Sequence, residues 1–234
     1  MLWQDIIGGQ LLLNTEPQEV MAPVAERPTG LVIGLAVAFI VAAIVFLPRF
    51  LSLMPLLFDS LFRARGSVSL ESSVRSSTDR RLTAALLTVP AVLMMYSYRI
   101  YNPDFLQGFG PNARLGLIAG VFLGFLLIRH VMYLLLMPRR RRDFYILSRN
   151  TAFTYFILLV LLALLSVGLM ELCGVSPESI GRVILIETAL FYTVFFFRRA
   201  QILALSCNHL RTFLYLCGLE ILPSSALVIS AYLL

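Results

Sequence analysis

Lysine is missing from this chain: all 19 basic residues are arginine. Charge as a whole is scarce, at 14% of residues, against about a quarter in a soluble domain. Three cysteines, Cys173, Cys207 and Cys217, stand far apart without CxxC or other metal-ligand spacing, which excludes a disulfide framework. Walker A, HExxH and GxSxG signatures are absent, as are paired intramembrane aspartates, so no enzyme class gains support. Gly108 and Gly110 superficially match a dinucleotide loop, but no strand precedes them and the motif is rejected. The arginine surplus gives a net charge of +6. It reads better as codon bias plus topology signal than as phosphate recognition, and nucleic acid is excluded as a partner for want of a soluble basic surface.

What is present is apolar. Hydrophobic residues make up 59% of the chain, and they gather in blocks of about 20, the length a helix needs to cross a hydrocarbon core of about 30 Å. These blocks predict an all-α, polytopic transmembrane bundle with a lipid bilayer as its medium. Six spans are expected, at about 30–47, 82–101, 115–137, 152–172, 180–197 and 213–234. Pro48 and Arg49 are expected to close the first span. Residues 50–65 alternate apolar and charged side chains in a way that suits an amphipathic helix on the membrane surface. Ser77, Thr78 and Asp79 offer N-caps for the second span, and Ser176-Pro177 starts the fifth helix, which runs to Phe197.

Domain organisation follows: 1–29 is an extracytoplasmic segment, acidic through Asp5, Glu16, Glu19 and Glu26, and 30–234 is one membrane domain. The segment lacks a basic n-region and a cleavage motif, so no signal peptide is read there. Arginines crowd alternate loops, notably Arg139, Arg140, Arg141 and Arg142, which form a cytoplasmic basic face under the positive-inside rule. Both termini are then outside a bacterial inner membrane.

Two stripes of small residues repeat every fourth position. One holds Gly30 and Gly34 in the first span, the other Gly116, Gly120 and Gly124 in the third. Such stripes allow close helix approach in lipid, and these two spans, running the same way, are expected to pair. Packing of a homo-oligomer, or simple tolerance of glycine, are the alternatives. Arg129 lies on the side of its helix away from the stripe, so span three is central if both faces are engaged.

Ionisable groups inside a bilayer cost roughly 2.5 to 3.5 kcal/mol each even on the lenient insertion scale, so Arg129, His130, Glu187 and Glu220 are the candidate intramembrane polar site. Arg129 and Glu220 fall at nearly equal depth, about eight and seven residues from the cytoplasmic ends of their spans. An Arg129–Glu220 or His130–Glu220 pair is therefore expected, with snorkelling of Arg129 to the headgroups as the competing outcome. Glu187, near mid-bilayer, is expected to hydrogen-bond to a neighbouring hydroxyl or to face a water-filled path. No catalytic residue, cofactor or metal ligand emerges from the sequence.

The stretch FLYLCGLEILP, Phe213 to Pro223, resembles the ending of an uncharacterised bacterial family of small polytopic inner-membrane proteins, domain of unknown function family 4271. The resemblance runs from about Phe50 to the end, with LYLC and LEILP as its distinctive groups, and the lack of lysine departs from it. It implies the same topology and draws attention to Glu220 and Pro223, without supplying a reaction. On these readings the leading function is a non-enzymatic subunit or assembly factor that associates with another integral membrane protein or with itself. A small permease or proton-coupled transporter is second, and a lipid-modifying enzyme third. Pro223 with Ser224-Ser225 marks a place where the last span is open to interruption.

Overall fold

The computed structural model describes residues 29–62, 74–136, 142–204 and 209–233. They form α1 (Gly30–Phe62), α2 (Val74–Ser97), a 3-10 turn (Asp104–Gly108), α3 (Pro111–Leu136), α4 (Arg142–Leu172), α5 (Pro177–Ala204) and α6 (His209–Leu216). A π turn (Cys217–Ile221) joins α6 to α7 (Leu222–Leu233). Five stretches are long and apolar enough to cross a membrane: Gly30–Pro55, Pro111–Leu135, Asn150–Leu172, Pro177–Ala204 and Thr212–Ala231. The described residues are thus all-α, and the chain is multi-pass. The N-terminal segment, the 63–73 loop and the arginine run at 139–141 lie outside the described residues, as does the side chain of Arg142.

The helix covering the expected second span, α2, is not among those five. It opens on Arg75, Asp79, Arg80 and Arg81 and contains Pro90, so its polar start dilutes its apolar body. The packing gives the reason. Ala84, Leu87, Ala91 and Met94 join Leu53 and Leu57 of α1, Ile157, Val160 and Ala163 of α4, and Ile180 and Ile184 of α5 in the main core. Farther along, Val92 meets Leu115 and Ile118 of α3. A helix surrounded by protein has less need of large apolar side chains than one facing lipid, so α2 is the central element and span three is not.

Two sequence expectations are corrected here. Pro48 does not close the first helix, and the separate surface helix over 50–65 is instead the second half of α1, which continues through Pro48 and Pro55 to Phe62. A proline removes one ladder hydrogen bond, a loss that spanning helices tolerate when neighbours support the backbone. Leu53 and Leu57, 2% and 0% exposed, supply that support by packing into the core. The glycine stripes do not pair α1 with α3. A β-carbon added at Gly30, Gly34, Gly116, Gly120 or Gly124 would meet nothing within 4 Å, because the packing of α1 on α2 and of α3 on α2 and α7 turns both stripes outward.

Contacts at the helix ends fix direction. Tyr98, just past α2, donates to Glu171 Oε1 near the end of α4 at 2.5 Å, so α2 and α4 run parallel. Ser166 of α4 reaches Glu187 of α5, and the start of α5 abuts the end of α2 at Gly181, so α4 and α5 are antiparallel. The end at which α1, α3 and α5 finish is called here the arginine-rich end. Beyond α2 the chain turns through Arg99, whose φ of 50° marks the helix stop. Tyr101 then bonds with Ser230 of α7 at 3.1 Å.

Candidate functional site

The buried polar and charged side chains of the described residues are Arg80, Thr83, Asn150, Thr151, Thr154, Arg199, Thr212 and Glu220. Every one falls in the half of the bundle toward the arginine-rich end: early in α2, α4 and α6, late in α5, and on the π turn. The opposite half is held by apolar contacts and rim hydrogen bonds.

Glu220 is the focus. The structure brings it together with Arg129, whose Nη2 lies 2.8 Å from both carboxylate oxygens. Arg199 of α5 forms a second ion pair with Glu220 Oε1, and the Tyr133 hydroxyl donates to the same oxygen at 2.8 Å. Arg199 and Glu220 are each 1% exposed and Arg129 is 17% exposed. Both guanidiniums also lie over the same two rings: Arg129 at 6.0 Å from Tyr133 and 5.5 Å from Phe195, Arg199 at 5.0 and 5.3 Å. Ring quadrupoles attract cations, more strongly where water is excluded. They supplement a carboxylate that two cations share.

Local sequence explains the placement. Arg129 and Tyr133 are four residues apart and so share a helix face, as do Phe195 and Arg199. Glu220 sits in a turn closed by the Leu222 N–H on the Cys217 carbonyl. Pro223 follows directly. A proline lacks its N–H and presses its ring on the carbonyl four residues back, here that of Leu219, and widening the preceding turn relieves the contact. The last span is thus widened, not interrupted. Beside this turn the Tyr192 hydroxyl donates to the Glu220 carbonyl at 3.2 Å.

The other expected residues do not join this centre. His130 is exposed on the adjoining face of α3. Glu187 lies about 18 Å along α5 from Arg199 at 1.5 Å per residue, where Ser166 Oγ is 3.1 Å from its Oε2. We expect Ser166→Ala to cost about 0.6 kcal/mol, the average for interhelical hydrogen bonds measured in lipid. Reversible unfolding in mixed micelles is the check, and a loss above about 2 kcal/mol would show that Glu187 depends on this hydroxyl.

Sequence reading missed Arg199, Tyr133 and Tyr192. The sequence ends the fifth helix at Phe197, yet α5 continues to Ala204 and buries Arg199, Ile202 and Leu203 beyond that point. The apolar residues that follow the arginine pair were the available signal. Among the described residues no three of His, Cys, Asp and Glu gather as a metal site. Compared with protein-family models, curated proteins and solved structures, the chain matches none.

Proposed function

We propose that this chain is a six-span protein of a bacterial inner membrane, a non-enzymatic subunit or assembly factor that docks another integral membrane protein, or a second copy of itself, along α1 and α3. The observation that carries the reading is the outward turn of both glycine stripes, where a β-carbon meets nothing within 4 Å. Small residues that serve no contact inside the chain are suited to a close helix contact outside it. The sixth span is α2: its 24 residues reach about 36 Å, and it lies parallel to the apolar α4 at the centre of the bundle. Arginine placement supports an orientation with the arginine-rich end in the cytoplasm. The FLYLCGLEILP segment, which carries Glu220 and the π turn, supports membership of family 4271.

The test uses Gly34→Leu with Gly120→Leu. Solubilised in mild detergent from native membranes, the wild type is expected to run above its monomer mass and the double variant at it. Compared as dissociated monomers, both should unfold within about 0.5 kcal/mol of each other, since surface changes without lost contacts stay in that range. A wild type that is already monomeric, or a variant assembly that is unchanged, would sink the reading. A small permease is the second reading, favoured by the Arg129–Arg199–Glu220 centre, because buried ionisable groups beside a widened turn are frequent on transport paths.

A further inference from the structure

Arg198 lies one turn beyond Phe195 on α5, at positions that share a helix face. The Phe195 ring is 5.5 Å from that of Tyr155 on α4, so the Tyr155 hydroxyl and the Arg198 guanidinium enter the same region between the two helices. Side chains tilt toward the N-terminus of their own helix. Because α4 and α5 are antiparallel, the register set by Ser166 and Glu187 puts Tyr155 and Arg198 at one level, where the two side chains pass one another along the axis.

What both bring is hydrogen-bond donors. Arg198 Nη1 donates to Gln201 Oε1 at 3.1 Å, while its Nε and Nη2 are buried without an acceptor. The Tyr155 hydroxyl, on a side chain 5% exposed, is likewise buried and unpartnered. Arg129 Nε, on the guanidinium stacked over the same Phe195, is a further buried donor without a partner. The carboxylate at hand, Glu220, already receives Arg129, Arg199 and Tyr133. Buried donors without acceptors are unfavourable, and the group that answers several converging donors is an oxyanion.

We infer that α4 and α5 form an anion site at Tyr155 and Arg198 that takes a phosphate or phosphodiester group. Nε and Nη2 lie on one edge of the guanidinium and match two oxygens of such a group in parallel, and the Tyr155 hydroxyl gives the third bond. Arg198 is six residues from the end of its span at Ala204, about 9 Å along the axis. Basic sites between helices at this depth take lipid headgroups, and free phosphate presents the same oxygens.

The purified full chain in a neutral detergent, titrated separately with phosphatidylglycerol, phosphatidylcholine and sodium phosphate, is followed by its unfolding midpoint. The midpoint is expected to rise with phosphatidylglycerol or with phosphate and not with phosphatidylcholine. A rise with phosphatidylglycerol alone identifies the lipid as the source, and a rise with phosphate as well identifies a soluble anion. Half-saturation should weaken about tenfold in Arg198→Gln and about threefold in Tyr155→Phe. It should be unchanged in Arg182→Gln, a change at an exposed arginine of the opposite end, paired with Glu178. Tyr155→Phe removes a single oxygen and carries the test alone if Arg198→Gln does not accumulate. No rise with either anion, or a rise that both variants leave intact, overturns the site.

Discussion

Replacing Glu220 by leucine is expected to be the most damaging single change in the described structure, lowering stability by about 3 to 5 kcal/mol, the usual cost of removing one partner of a buried ion pair. The reason is charge balance. Arg199 is 1% exposed and Arg129 17%, guanidiniums do not give up their proton in proteins, and without the carboxylate two cations face one another over the rings of Tyr133 and Phe195. Arg199→Met tests the same idea from the other side. It leaves Arg129 and Glu220 as a matched pair at 2.8 Å and removes a buried cation, so it should cost clearly less than Glu220→Leu. Unfolding in mixed micelles at one lipid composition compares the two. Equal losses, or a larger loss for Arg199→Met, would show that packing and not charge holds this region.

The second large effect is expected at the opposite end of the bundle, for Gly181→Leu. A β-carbon there would come to 3.0 Å from the Tyr98 backbone oxygen and 3.7 Å from its Cβ, and a backbone atom does not move aside as a side-chain tip does. The start of α5 must then shift away from the end of α2, at a cost in the range of about 1 to 3 kcal/mol typical of overpacking. The shift also disturbs the neighbouring Tyr98–Glu171 hydrogen bond of 2.5 Å. Gly120→Leu is the matched control, since open space surrounds that glycine and its substitution should leave the isolated chain's stability unchanged. Loss of stability at Gly120 together with none at Gly181 would contradict the packing described here.

Much of the site was legible because depth in a bilayer is counted along one axis. Arg129 and Glu220 were placed at one level by residue counts from the ends of their spans, and in the structure they are in contact. Arg199 escaped because an arginine pair after an apolar run looks like the end of a helix. Hydropathy averages over a window, and it cannot distinguish an arginine that leaves the membrane from one buried against a carboxylate. Tyr133 and Tyr192 were hidden for a different cause. Tyrosines are ordinary in such spans, and their hydroxyls acquire meaning only once a partner from another helix is in place.

By itself the sequence determined the medium and the long axis: apolar blocks of spanning length and the common depth of Arg129 and Glu220 follow from the solvation of one helix at a time. Rotation about that axis was decided by tertiary structure alone. Which face of a helix meets protein depends on every neighbour at once, and in lipid that choice rests on close packing and hydrogen bonds instead of on apolar burial. For that reason the glycine stripes turned outward, the modestly apolar α2 took the centre, and a single carboxylate on a widened turn came to hold two arginines.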